Sequence, residues 1–376
     1  MKELNSVKTN GRLASLDALR GFDMLFIIGL SSLIVAICKL FPGGADSWLA
    51  TQMTHVSWDG LRHHDTIFPL FLFIAGISFP FSYAKQREKG VPRWKTYLKI
   101  IRRALVLVLL GLICNGLLKF QFSSLRFCSV LGRIGLAWMF AALLFINFKP
   151  SVRAVIAVAL LVGYWLLLRF VPAPDAPAGA GPFSFEGNLV GYVDRCLFPG
   201  HLYKGDGGVF DPEGTLSTIP AVVTAMLGMF TGEWVRRKDV SGGRKTLWMV
   251  AAAAVLLVLG LVWSQWFPLN KKLWSSSFVL VVGAYSLALF ALFYWIIDVK
   301  GWKKWAFPLI VVGMNSIAIF MLPRIIDFRH ATDFFLEGLC GLMSPLWAKA
   351  VWYLGFLALN WLFLYFLYKK KVFLKV

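Results

Sequence analysis

The sequence predicts an all-α, polytopic helical membrane protein with about ten transmembrane helices and both termini in the cytoplasm. Hydrophobic residues make up 58% of its 376 residues and charged residues only 15%, whereas a soluble globular chain usually carries about a quarter charged residues. Several stretches of 18 or more residues are mostly apolar, which is long enough to cross a bilayer as helices. They are too long and too uniformly apolar for the alternating strands of a membrane β-barrel.

The apolar stretches divide into ten predicted spans in chain order. These cover approximately residues 22–41, 66–84, 102–118, 129–147, 152–171, 216–235, 246–264, 275–297, 306–323 and 347–368. Because the number is even, the two termini are expected on the same side of the membrane.

The basic residues predict which side that is. About two-thirds of the 39 lysines and arginines lie on alternate connections, and the positive-inside rule assigns these connections to the cytoplasm. The set comprises Lys2, Lys8, Arg12 and Arg20, then 85–103, 149–153, 236–245, 300–304 and 369–371, and finally Lys375. Since this alternation accounts for the net charge of +20, no nucleic-acid partner is expected.

The other connections are predicted to be extracytoplasmic, and they carry all five histidines. These are His55, His63, His64, His201 and His330. The longest of these connections, 172–215, lacks clear structure in the sequence, which is typical of a functional or mobile segment. We find no internal repeat, so residues 1–376 are interpreted as one transmembrane domain with a loop insertion at about 172–215. The first apolar run is too long for a cleavable signal peptide.

Two polar clusters stand at opposite ends of the predicted spans. At the inner end of the first span, Asp17 and Arg20 are three residues apart and so share a helix face. Arg20 would either contact lipid phosphates, as interfacial arginines do, or bind an anionic ligand near the cytoplasmic mouth. Asp23 lies deeper and needs a partner.

The second cluster, 55–69, joins an extracytoplasmic loop to the second span. A histidine is the usual general base near neutral pH, and a carboxylate on one ring nitrogen would leave the other free to take a proton. His55 and Asp65 are ten residues apart, so only a folded-back loop would join them. The alternatives are a water-exposed loop without catalysis, or a zinc site built from His55, His63, His64 and Asp65, whose spacing matches no known pattern. The five cysteines are scattered without a CxxC motif and predict neither a metal site nor a disulfide framework.

Two further polar residues stand inside predicted spans. Arg133 is costly in lipid and is expected to face the bundle interior. Asn315 would serve either as a hydrogen bond between helices or as a functional group.

An ordered set of motifs then resembles the heparan-α-glucosaminide N-acetyltransferase family and its bacterial relatives. The set comprises Leu16-Asp17-x-x-Arg20-Gly21, His55-x-x-Trp58-x-Gly60, Asp65-x-x-Phe68-Pro69, Leu131-Gly132-Arg133-Ile134, Asp211-Pro212-Glu213-Gly214, Ser217-Thr218-Ile219-Pro220 and Gly313-Met314-Asn315-Ser316. Three features depart from the family pattern. Ser31 stands where relatives often carry an asparagine, Gly132 replaces a glutamine, and 41–46 are inserted.

The resemblance implies a transmembrane acetyltransferase in a bacterial inner membrane, with acetyl-CoA as the donor and no metal. Its acceptor would be an amine or hydroxyl of an extracytoplasmic amino sugar or glycan. His55 and Asp65 would be catalytic. Arg20, Arg133 and Asn315 would bind the donor, with Asn315 also a candidate oxyanion donor, and 99–103 would add basic groups. Trp58, Asp211 and Glu213 would bind the acceptor. The expected partners are acetyl-CoA, the glycan and membrane lipids, and a homodimer is left open. The alternatives are a transporter or flippase for a sugar or lipid-linked glycan, and a non-catalytic scaffold.

Overall fold

A computed structural model describes residues 13–374, so the predictions for Lys2, Lys8, Arg12 and Lys375 lie outside the described residues. Within this range the chain is helical and contains no strand. Eight helices are long and apolar enough to cross a membrane, and one bent pair adds a ninth candidate. The all-α, polytopic membrane fold is thereby confirmed.

Fourteen helices are numbered here in chain order. They are α1 (Ala14–Cys38), α2 (Trp48–Gln52), α3 (His63–Glu88), α4 (Arg93–Cys114), α5 (Val130–Asn147), α6 (Pro150–Phe170), α7 (Leu189–Leu197), α8 (Thr218–Arg236), α9 (Gly242–Trp263), α10 (Ser276–Val299), α11 (Lys304–Gly313), α12 (Ser316–Arg324), α13 (Phe328–Gly341) and α14 (Pro345–Lys369). The bent pair is α11 and α12, which lie at 59° to each other.

Nine of the ten predicted spans correspond to these candidates, and the exception is α4. The span was predicted at 102–118, but the helix begins at Arg93 and carries five basic residues in its first half, so its apolar part is short. It nevertheless joins the two ends of the bundle. Tyr97 near its start donates to Asn147 at 2.7 Å, and the Cys114 carbonyl at its end accepts from Arg324 at 2.6 Å.

Ordinary helix-start signals set several of the boundaries. Ser129, Ser241 and Ser275 each stand one residue before a helix and accept a hydrogen bond from its first turn, as N-cap side chains do. Pro150 and Pro345 occupy first helical positions, where the missing N–H costs nothing.

Glycines set the closest helix contacts. A Cβ at Gly76 of α3 would lie 2.2 Å from the Ala225 carbonyl oxygen of α8, and one at Gly21 of α1 would lie 1.8 Å from the Leu309 carbonyl oxygen of α11. Only glycine permits these approaches. The two polar clusters lie on α3 and α1. The two crossings fix α3 against α8 and α1 against α11.

Helix α1 differs from the predicted first span in two ways. It begins at Ala14 rather than near residue 22, so Asp17 and Arg20 lie within its first turns. It also contains a π-helical segment at Phe26–Leu30, where Gly29 has a non-helical backbone with φ of +156°. Ser31, the first residue after this segment, contacts His64 at the start of α3.

Candidate active site

His55 and Asp65 form the centre of the site. His55 lies on the connection between α2 and α3, Asp65 lies in the first turn of α3, and His55 Nδ1 is 2.7 Å from Asp65 Oδ1. The Asp65 side chain is 2% exposed and that of His55 is 53% exposed. The folded-back loop that the sequence required is therefore present, with a buried carboxylate beneath a solvent-accessible ring.

The second carboxylate oxygen of Asp65 holds the loop in this shape. It accepts hydrogen bonds from the backbone N–H groups of Val56, at 3.3 Å, and Arg62, at 3.2 Å. The Arg62 guanidinium in turn donates to the His55 carbonyl at 3.0 Å. Asp65 therefore caps its own helix and orients the imidazole, and leaves Nε2 as the ring nitrogen free for chemistry.

Lys271, to which no role was assigned from the sequence, joins this pair. It lies on the connection between α9 and α10, with Nζ 3.1 Å from His55 Nδ1 and 3.4 Å from Asp65 Oδ1. Burial lowers the pKa of Lys271, while the charges of Asp65 and Glu213 act in the opposite direction. One available signal was its place in a connection that the sequence predicts to be extracytoplasmic, where few lysines are expected.

These groups open into a cavity of about 870 Å³, named here the histidine cavity. His64 lines it with its ring centroid 4.4 Å from that of His55. Ser31, the residue in the asparagine position of the relatives, also lines it and places Oγ 3.1 Å from His64 Nδ1. Three elements distant in sequence therefore meet around the neighbouring His55 and His64 rings.

The far wall of the histidine cavity is basic and aromatic. It carries Lys39 just after α1, Arg324 of α12 and Lys349 of α14, together with Trp352 and Tyr353. Trp352 donates to Asp333 at 2.5 Å. Hydrogen-bond donors beside aromatic faces suit a polar, ring-shaped ligand.

A second polar cavity, of about 380 Å³ and named here the arginine cavity, lies toward the other end of α3. Arg20 lines it and donates to Asp17 at 3.0 Å and to Ser78 at 3.2 Å. Lys85 and Arg103 add two further cations. Of the predicted basic group at 99–103, only Arg103 lines this cavity. Three cations and one carboxylate make it suitable for an anion.

A thin apolar layer separates the two cavities, and we name it the partition. On α3 it lies between Phe68, which lines the histidine cavity, and Phe71, which lines the arginine cavity. On α12, Phe320 lines the histidine cavity and Ile317 lines the arginine cavity. On α5, Val130 lines the histidine cavity and Leu131 lines the arginine cavity. Ser78 follows His64 by fourteen positions on α3, about 21 Å along the helix axis.

Arg133 and Asn315 do not occupy the positions predicted for donor binding. Arg133 is 2% exposed, donates to the carbonyl of Gly214 at 3.2 Å and to the Ser217 hydroxyl, and lines neither polar cavity. It lines a third, apolar cavity of about 910 Å³ instead. Asn315 donates to the Val372 carbonyl at 3.0 Å and accepts from the Leu374 N–H. Arg133 therefore ties α5 to the segment that leads into α8, and Asn315 holds the C-terminal segment.

Two of the three predicted acceptor-binding residues are also engaged elsewhere. Trp58 donates to the Phe183 carbonyl at 2.9 Å and so fixes the 172–215 segment. Asp211 is fully buried and paired with Arg126 at 2.6 Å. Glu213 also pairs with Arg126 but does line the histidine cavity. Burial would lower the pKa of Arg126, but the hydrogen bond and charge of Asp211 and the charge of Glu213 raise it overall.

The remaining polar residues named from the sequence lie outside this arrangement. His63 packs its ring on Phe26, with centroids 4.5 Å apart, and does not line the histidine cavity. The His201 ring nitrogen lies 2.8 Å from the Leu125 carbonyl, and His330 is exposed on α13. Asp23 is 1% exposed, and its Oδ2 has no hydrogen-bond partner between residues 13 and 374.

Sequence comparisons find two similar proteins that carry a name. The chain is 28% identical to the human and mouse proteins named heparan-alpha-glucosaminide N-acetyltransferase, over 97% of its length in both comparisons. It spans about 60% of the length of these relatives. Residues 12–170 also match a domain of unknown function, DUF5009. The resemblance identified from the motifs is confirmed as a distant similarity over nearly the whole chain.

Proposed function

We propose that this protein is a transmembrane acetyltransferase. It would take an acetyl group from cytoplasmic acetyl-CoA and transfer it to an amine, or a hydroxyl, of an amino sugar or glycan on the other side of the membrane. The observation that carries the proposal is the His55–Asp65 pair in a cavity that faces a second, basic cavity across a thin partition. The names of the human and mouse relatives support the same reaction class.

The arginine cavity suits the charged end of the donor. The phosphates of acetyl-CoA need several cations, and Arg20, Lys85 and Arg103 supply them at one mouth. Asp17 and Ser78 hold the Arg20 guanidinium in place. The pantetheine arm would then extend through the partition, and the thioester would reach the His55 ring.

The chemistry at His55 follows from the nitrogen that Asp65 leaves free. The acceptor amine attacks the thioester carbonyl carbon, Nε2 takes the amine proton, and the carbon–sulfur bond breaks. The imidazolium then returns the proton to the departing thiolate, so the products are the amide and coenzyme A with its thiol. Asp65 stabilises the imidazolium between these steps. Attack by Nε2 itself, with an acetyl-imidazole intermediate, would use the same groups.

Replacement of His55 tests the proposal. His55→Ala in the purified, membrane-reconstituted protein should reduce acetyl transfer from labelled acetyl-CoA to glucosamine-type acceptors by about 10² or more. His330→Ala is the matched control, since this histidine is exposed on α13 and does not line the histidine cavity. Transfer by His55→Ala within tenfold of the parent would remove His55 as base or carrier.

A transporter or flippase for a sugar or lipid-linked glycan is the second candidate, and the bent α11–α12 pair favours it. Broken helices that meet near the membrane centre are typical of transporter binding sites. A thermal-shift measurement with acetyl-CoA separates the two functions, because a ligand that binds the native state raises its stability. An acetyltransferase should gain several degrees with acetyl-CoA, and a sugar transporter should gain none.

A further inference from the structure

Lys271 approaches the catalytic pair on the side away from the reacting nitrogen. Its Nζ is 3.1 Å from His55 Nδ1 and 3.4 Å from Asp65 Oδ1. Because Nδ1 faces Asp65 at 2.7 Å, the nitrogen that meets the substrate is Nε2. Lys271 is therefore placed to act through His55 and Asp65.

The position of Lys271 is fixed by a tight turn. Asn270 is fully buried, donates to Asp59 at 3.1 Å and accepts from the Leu273 N–H at 2.9 Å. The Gly60 N–H donates to the Leu269 carbonyl at 2.8 Å. These bonds join the turn to the loop that carries His55, so Lys271 is held in register with the imidazole.

The next lysine points to a different partner. Lys272 places Nζ 2.5 Å from Asp206 Oδ1 and stands over the Phe185 ring. Two adjacent lysines on one rigid turn therefore have separate environments, and only the first belongs to the site.

We propose that Lys271 is a positioning residue that keeps His55 in the neutral, proton-accepting form. An ammonium beside Nδ1 opposes a second positive charge on the ring, and it shares the carboxylate that would otherwise stabilise that charge fully. The neutral ring, with its hydrogen on Nδ1 toward Asp65, keeps the Nε2 lone pair available. This inference rests on the proposed function for its catalytic meaning, while the electrostatic coupling can be measured without it.

Other charged groups around the ring limit the alternatives. In the described chain, the titratable and charged groups in contact with His55 are Asp65 and His64 of α3, Lys271, and Arg62, which contacts the His55 carbonyl. The wall of the same cavity adds further charged residues, namely Glu213, Lys39, Arg324, Asp327, Arg329 and Lys349. Arg126 already pairs with Glu213. Lys271 is therefore the cation closest to the ring edge among the contacts of the described chain.

The test is a pH titration of the histidine rings by NMR in ¹³C-histidine-labelled protein, with the His55 signal assigned by His55→Gln. In Lys271→Gln the His55 midpoint should rise by about 1 pH unit or more, as expected for loss of a like charge at this distance. Lys271→Met is a second neutral variant for use if the glutamine variant does not fold. Lys271→Arg and Lys272→Gln should both stay near the parent.

The acetyl-transfer assay adds the functional outcome. The acidic limb of the kcat/KM profile should move to higher pH in Lys271→Gln by the same amount as the NMR midpoint. An unmoved midpoint in both neutral variants, or an equal movement in Lys272→Gln, would overturn the inference. If the parent transfers no acetyl group, the proposed function fails, and the ring titration still decides whether Lys271 controls the charge of His55.

Discussion

Replacing Asp65 by asparagine should abolish most activity while keeping the shape of the site. The remaining side-chain oxygen can still accept from the Val56 and Arg62 N–H groups. The new amide would then face His55 Nδ1 as a donor, which forces the ring hydrogen onto Nε2 and removes the base. The imidazolium would also lose its carboxylate partner.

The magnitude follows from the charges. An imidazolium and a carboxylate about 4 Å apart interact by about 4 kcal/mol at an effective dielectric of about 20, and by half that at about 40. Since 53% of the His55 side chain is exposed, we expect a loss of about 2–4 kcal/mol, or about 30- to 1000-fold in kcat.

The assay is acetyl transfer in reconstituted protein, with unfolding temperature measured in parallel. Asp65→Asn leaves Lys271 without its carboxylate, and that ion pair is only 22% and 2% exposed at its two side chains. The single variant should therefore lose stability, and the double variant with Lys271→Gln should recover it without recovering activity. A single variant with kcat within tenfold of the parent would refute the assigned role of Asp65.

Three further predictions address the donor, the packing and the pH dependence. Arg20→Gln should raise KM for acetyl-CoA about tenfold or more with little change in kcat; an unchanged KM would remove it from the donor site. Gly228→Val should unfold or strongly destabilise the protein, because a Cβ there lies 2.0 Å from the Phe73 carbonyl oxygen, whereas Gly163→Val in open space should be tolerated in the same thermal-unfolding assay. Burial raises the pKa of Asp194 from 3.8 to about 6, so the native state takes up this proton first and gains stability as pH falls from about 6 toward 4. Asp194→Asn should lose that gain, and equal pH dependence of the unfolding temperature in both proteins would contradict the assignment.

The parts of the site that lie close in sequence could be predicted, because local chemistry constrains them. His55 and Asp65 share one short loop, and a buried carboxylate at the start of a helix must find donors nearby. Asp17 and Arg20 were predictable in the same way, since three-residue spacing places them on one helix face. The apolar spans were visible because the bilayer requires a minimum helix length.

Long-range contacts were not predictable from residue types. Lys271 contacts His55 from a turn that contains Trp274 in a left-handed backbone conformation, with φ of +52°. No local sequence pattern predicts such a turn. Asp211 resembles a ligand in the sequence but is neutralised by Arg126. A carboxylate in a buried ion pair and a carboxylate that binds substrate look the same in the sequence. Only the residues that surround the carboxylate in the fold distinguish them.

The partition also has an electrical consequence. A membrane potential of about 100 mV is worth about 2.3 kcal/mol for each elementary charge that crosses it, and most of that potential should fall across the thin dry layer between the two wet chambers. An acetyl group is neutral, so its passage past Phe71 and Phe320 does no work against the field. In the proposed reaction the acetyl group moves one way and the amine hydrogen returns on the coenzyme A thiol, so the exchange would carry no net charge across the partition.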